Sequence, residues 1–143
     1  MVIFLKTNYP DTFEVYGDNW MFQENSYIHD QYAESQLYRS AKIAINCSQF
    51  DYRRYSSDRI LRIMGSGAFC LSKWFPEIEN DYQDGKHLVL WRDFVDLKNK
   101  IDYYLKNDSE RKRIARAGNE LVLKKATTKM MIKNILKLYQ KYK

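Results

Sequence analysis

Ser56, Ser57, Asp58 and Arg59 stand together just ahead of the apolar residues Ile60, Leu61, Ile63 and Met64, and Gly65 and Gly67 follow. The first three are N-cap residue types, whose side-chain oxygens accept from the free N–H groups of a helix start. A helix start carries partial positive charge, and Arg59 adds a full charge in the first turn. The two glycines permit a tight turn into the apolar run AFCLS. Polar turn, short helix, glycine pair and buried strand, in this order, suit a phosphate held at the helix mouth. The same residues suit an ordinary capped helix, so the motif alone leaves both readings open.

The elements that would position these residues alternate along the chain. FEVYG (13–17) reads as a strand closed by Gly17, and YIHDQY (27–32) as a weaker one. Residues 33–41 read as a helix and KIAINCS (42–48) as a β-branched, apolar strand. Residues 59–65 form the short helix, and AFCLS (68–72) and HLVLW (87–91) two further strands. Pro76 suits the first turn of a helix over 76–82. The stretch 94–107 has helical period, with Phe94, Leu97, Ile101 and Leu105 on one face. Ser109 is placed to cap the next helix, and Thr127 or Thr128 the last. MVIFLKTN at the start suits either helix or strand. Strands separated by helices predict an α/β fold: a Rossmann-like, mainly parallel sheet with helices on both faces and a helical C-terminal third. Ligands in such sheets bind at the C-terminal strand ends. The loop after KIAINCS and the start of the 59–65 helix fall there.

Composition narrows the classes. A chain of 143 residues predicts one domain, 1–143. No run of about twenty apolar residues predicts a membrane span, and MVIFLK is too short for a signal-peptide core. Cys47 and Cys70 sit in apolar runs, as buried reduced thiols of a cytoplasmic protein would. No Cys/His cluster has metal-ligand spacing. Charge is uneven: residues 109–143 hold eleven Lys/Arg against Glu110 and Glu120, a net of +9, so the rest carries −3 of the total +6. Apolar residues interleave at helical spacing, which predicts basic amphipathic helices packing on the domain, with peripheral contact to an anionic surface, such as a membrane, or an acceptor-facing role as the functional alternative. A nucleic-acid partner is disfavoured, because the aromatics fall at core positions and no RNA-binding phrase is present.

Six phrases carry a further signal: FEVYGDNW, LYRSAKIAINCS, SSDRILRIMGSGAFCLS, PEIENDYQDGKHLVLW, the following helix, and NDSERKRIARAGNELV. In this order and spacing, over residues 13–142, the chain resembles the C-terminal, donor-binding half of a GT-B glycosyltransferase of the group-1, family-4-like type, close to the spore-protein-type glycosyltransferase-like domains. The resemblance implies binding of a nucleotide-diphosphate sugar for transfer to an acceptor hydroxyl. It implies Arg59 on the diphosphate, with Ser57 and Asp58 at the helix mouth and Gly67 before the strand. Gly17 would let the backbone approach the donor, and Tyr27 and Ile28 fall where the family holds the nucleobase. Catalytic residues are not assigned.

Two departures qualify the resemblance. Arg62 stands where the family usually has a glutamate that accepts from the donor ribose, and the related upstream acid falls on Arg54. A guanidinium accepts no hydrogen bonds, although Arg53, Arg54, Arg59 and Arg62 together would suit a polyanion. The acceptor-binding N-terminal half is also missing, so the chain is expected to need a partner chain or a homo-oligomer and to be inactive alone. Tyr9, Trp20, Phe22 and Tyr52 are candidates for an exposed docking patch. With no Asp-x-Asp in the sequence, the resemblance implies a metal-independent reaction without cofactor, in which fixed cations neutralise the leaving group. A non-catalytic nucleotide or nucleotide-sugar binding module is the alternative.

Overall fold

The computed structural model describes residues 1–17, 25–48 and 52–142. Three short strands, β1 (Ala44–Asn46), β2 (Cys70–Lys73) and β3 (Val89–Trp91), pair in parallel in the order β1-β2-β3. Helix α1 (Val2–Asn8) and α2 (Gln31–Ser40) precede the sheet. Helix α3 (Arg59–Gly65) crosses from β1 to β2, and α4 (Phe94–Lys106), α5 (Asp108–Lys125) and α6 (Thr128–Lys141) follow β3. The parallel sheet and the helical C-terminal third match the sequence expectation.

Alternation along the strands sends side chains to two cores. Ala44, Cys70 and Leu90 face Ile60, Ile63 and Met64 of α3 and Val122 of α5. Leu71, Val89 and Trp91 face Leu5 of α1 and Leu97, Ile101 and Tyr104 of α4. A sheet buried on both faces needs apolar runs rather than strict alternation, as these strands have. Tyr9 ties α1 to α4 through its hydroxyl, which donates to Asp102 Oδ1 at 2.7 Å.

Several local expectations are corrected. In FEVYG only Tyr16 pairs, in an isolated parallel bridge with Asn25, and 27–30 form no strand. Asp30 instead caps α2, its carboxylate accepting from Ala33 N at 2.7 Å, so that helix starts two residues early. The 76–82 segment makes only a 3-10 turn, Ile78–Asn80, because Glu77 takes a left-handed φ of 69°. Phe75, Ile78 and Tyr82 anchor this turn in the core instead. In α4, Tyr104 is buried where Phe94 and Leu105 were expected, since the buried arc runs Leu97, Ile101, Tyr104. Asn107, not Ser109, occupies the N-cap of α5, while Thr127 caps α6, accepting from Met130 N.

The basic helices also differ from each other. Helix α5 packs on the body through Arg111, Ile114, Gly118 and Val122, whereas α6 buries no residue. Among the described residues its large apolar side chains stay exposed, so α5 and α6 differ in how much they bury. Cys70 is fully buried and desolvation pushes its thiol up to about 12; Cys47 is half-buried, and both are free.

Candidate functional site

The C-terminal edge of the sheet gathers the polar residues. β1 ends in Asn46 and β2 in Ser72 and Lys73, with Asn46 opposite Ser72 in register. Both point to the α3 side, the side of Ala44 and Cys70, and both are fully buried. Two polar side chains here must satisfy each other. Asn46 Nδ2 donates to Ser72 Oγ at 3.0 Å, and Ser72 Oγ donates to Lys73 O at 3.2 Å. Ser57 Oγ reaches Asn46 Oδ1 at 3.4 Å, which links the loop before α3 to the strand ends. Asn46 and Ser72 were not singled out in the sequence. The available signal was a polar residue closing each of two apolar runs at matching positions.

Helix α3 starts at this edge. The expected side-chain caps are not made: Asp58 lies in right-handed helical conformation and its carboxylate accepts from no backbone N–H. Its Oδ2 lies 3.3 Å from Arg62 Nε, close enough for an ion pair but without hydrogen-bond alignment. Arg62 Nη1 donates to Glu34 Oε1 and Oε2 at 2.9 and 3.0 Å. Burial alone would lower the Arg62 guanidinium, but Glu34, Asp58 and Tyr38 outweigh it and hold it above its ordinary value. Burial first, then Glu34, pushes the Tyr38 hydroxyl up to about 12, against the opposing charges of Arg62 and Arg59.

The four expected arginines are therefore unequal. Arg53 Nε donates to Glu77 Oε1 at 2.8 Å, and Arg54 pairs with Asp81 at 3.2 Å. Arg54 also takes a positive φ of 54° and donates its N–H to Pro76 O. Arg59 alone of the four has no ion pair or hydrogen bond among the described residues, and its side chain is exposed. Just beyond β3, Arg92 stacks over Trp74 at 4.3 Å, adding a cation to the same edge.

Of the remaining expected residues, Gly67 lies apart from this group. Gly67 follows the C-terminal end of α3 and precedes β2, at the opposite edge of the sheet. Its φ of +80° serves the turn, and Asn119 Nδ2 from α5 caps the helix there, donating to Met64 O and Gly65 O. Gly17 takes a φ of 128° beside the Tyr16–Asn25 bridge. Tyr27 is exposed, edge-on to His29, and Ile28 is half-buried, both just before α2. Among the docking candidates, Tyr9 packs against the second core and Tyr52 is exposed, while Trp20 and Phe22 lie outside the described residues. Among the described residues no group of three His, Cys, Asp or Glu is placed to hold a metal ion, and no helix is long and apolar enough to cross a membrane.

A family model described as "Glycosyl transferase-like" matches residues 1–137. The chain belongs to this glycosyl transferase-like family. A crystal structure of a glycosyltransferase from Rickettsia africae ESF-5 has the same fold, with a TM-score of 0.67 at 16% identity over 81% of this chain. The match takes in 30% of that protein, so this glycosyl transferase-like domain spans under a third of its length. No curated protein matches the chain.

Proposed function

We propose that this domain binds the diphosphate of a nucleotide sugar at the C-terminal edge of its parallel sheet and serves as the donor half of a transferase. The observation that carries this reading is Arg59: an exposed guanidinium without a carboxylate partner among the described residues, two residues after Ser57 of the Ser57–Asn46–Ser72 chain, in a member of the glycosyl transferase-like family. A planar guanidinium suits bidentate phosphate binding. In this reading an acceptor hydroxyl attacks the sugar, the bond to the nucleoside diphosphate breaks, and Arg59 stabilises the charge that develops on the leaving group. Fixed cations take the place of a divalent ion. Ser57 faces the diphosphate and Asn46 holds its hydroxyl in place. Arg62, with Asp58 beside it, braces α3 against α2 through Glu34, and Gly17, Tyr27 and Ile28 are assigned to the donor backbone and base from the resemblance alone. The acceptor site and general base belong to a second half or a partner chain. The free thiols Cys47 and Cys70 suit a reducing, cytoplasmic setting.

One observation favours a second reading, a binding module without transfer. Arg62, at the position where the resemblance implies a ribose-accepting glutamate, is engaged by Glu34. The domain then supplies no acceptor there for the donor ribose.

Calorimetric titration with uridine, guanosine and adenosine diphosphates tests the site. One of them should bind, and Arg59→Ala should weaken it about ten- to hundredfold, the worth of a charge-assisted hydrogen bond. Lys141→Ala, on α6, should change it little. Binding unaltered by Arg59→Ala removes Arg59 from the site. No binding by the folded chain overturns the donor-half reading.

A further inference from the structure

Helix α6 is the largest feature that the donor site leaves unexplained. Met131, Ile135, Leu138 and Tyr142 follow one helical stripe, with Ile132 and Tyr139 beside it. All six side chains are between 53% and 79% exposed. Lys129, Lys133, Lys137 and Lys141 recur every four residues on the opposite face, and no Asp or Glu occurs anywhere from residue 121 to 143. A fourteen-residue helix is marginal in water by itself, and an apolar stripe of this kind marks an interaction surface.

We propose that α6 lies in the headgroup layer of an anionic bilayer and holds the domain at that surface. Charge chooses this occupant. Lysines on one face and apolar side chains on the other, with no acidic residue, form the pattern of an in-plane interfacial helix. The lysine stems run along the helix while their ammonium groups meet lipid phosphates. At 1.5 Å per residue the helix is about 21 Å long, enough to lie on a bilayer and too short and charged to span one. The other basic helix, α5, differs: its apolar side is spent on the body, and Arg116 pairs with Glu120. The proposal rests on α6 alone and is independent of the donor site.

Flotation of the whole chain with vesicles tests it. Vesicles of phosphatidylglycerol and phosphatidylcholine in equal parts should carry the chain, and pure phosphatidylcholine should not. Each lysine near an anionic surface is worth about fivefold, so Lys133→Gln with Lys137→Gln should lower partitioning about 25-fold. Ile135→Asp with Leu138→Asp should abolish it. None of these residues is buried, and unchanged near-ultraviolet dichroism of Trp74 and Trp91 verifies the fold of each variant. Equal uptake by neutral and anionic vesicles, or none, overturns the proposal. So does a dimer in sedimentation that the aspartate pair dissociates while vesicles stay empty, since a second copy then covers the stripe.

Discussion

Arg62 on α3 grips Glu34 on α2 with one nitrogen shared between both carboxylate oxygens, at 2.9 and 3.0 Å. The two residues are 28 apart in sequence, and their pairing converts a helix-surface arginine into a brace between helices. Tyr38 joins the brace, its hydroxyl donating to Glu34 Oε1 at 3.1 Å. The brace stands on the same helix as Arg59, which among the described residues has no ion pair or hydrogen bond of its own.

Glu34→Gln should therefore loosen α2 from α3. Arg62 is partly exposed, so the loss is discounted from the buried-pair range to about 1 kcal/mol. Urea unfolding of the chain and the variant measures it. If Arg62 is a brace rather than a ligand, Arg62→Gln should cost a similar amount and leave diphosphate affinity within about threefold, against the ten- to hundredfold expected at Arg59.

Gly118 on α5 crosses the backbone of His87 so closely that an added Cβ would lie 2.3 Å from His87 O. In an open helix Gly→Ala gains about 1 kcal/mol. Here the clash decides the sign, and Gly118→Ala should destabilise by about 1–3 kcal/mol. A raised urea midpoint would show that α5 does not dock at this distance.

His87 supplies a pH dependence. Its Nδ1 accepts from Gln83 N–H at 3.1 Å, which a proton there would prevent. Burial first, then Lys86 and Lys125, holds the imidazole below its ordinary 6.5. The folded state thus prefers the neutral form. Its contribution is complete above 6.5 and is lost as pH falls through the lower, folded value. The depressed carboxylates Glu79, Asp102 and Asp108 act only below about 4.5, outside that window. Stability should fall as pH drops below about 6.5, and His87→Gln should flatten that fall. An identical slope in chain and variant would remove His87 as its source.

Much of this protein was legible as sequence, and the reasons are local. KIAINCS, AFCLS and HLVLW are apolar runs too short for helices and rich in strand formers, so their cores became β1, β2 and β3. The boundaries of α3 followed from a polar turn before it and the glycines Gly65 and Gly67 at and just past its end. Tertiary structure decided what depends on distant partners. The pairing of Asn46 with Ser72 needs the register of two strands, the grip of Arg62 on Glu34 needs two helices to dock, and the closeness of Gly118 to His87 needs α5 to cross the chain ahead of β3. PEIENDY has helical spacing, yet burial of Phe75, Ile78 and Tyr82 around a left-handed Glu77 reduced it to one turn. Composition announced four arginines for an anion. Only the folded chain, by placing carboxylates against three of them, set Arg59 apart among the described residues, because the fate of a charge depends on which opposite charge the fold brings within reach.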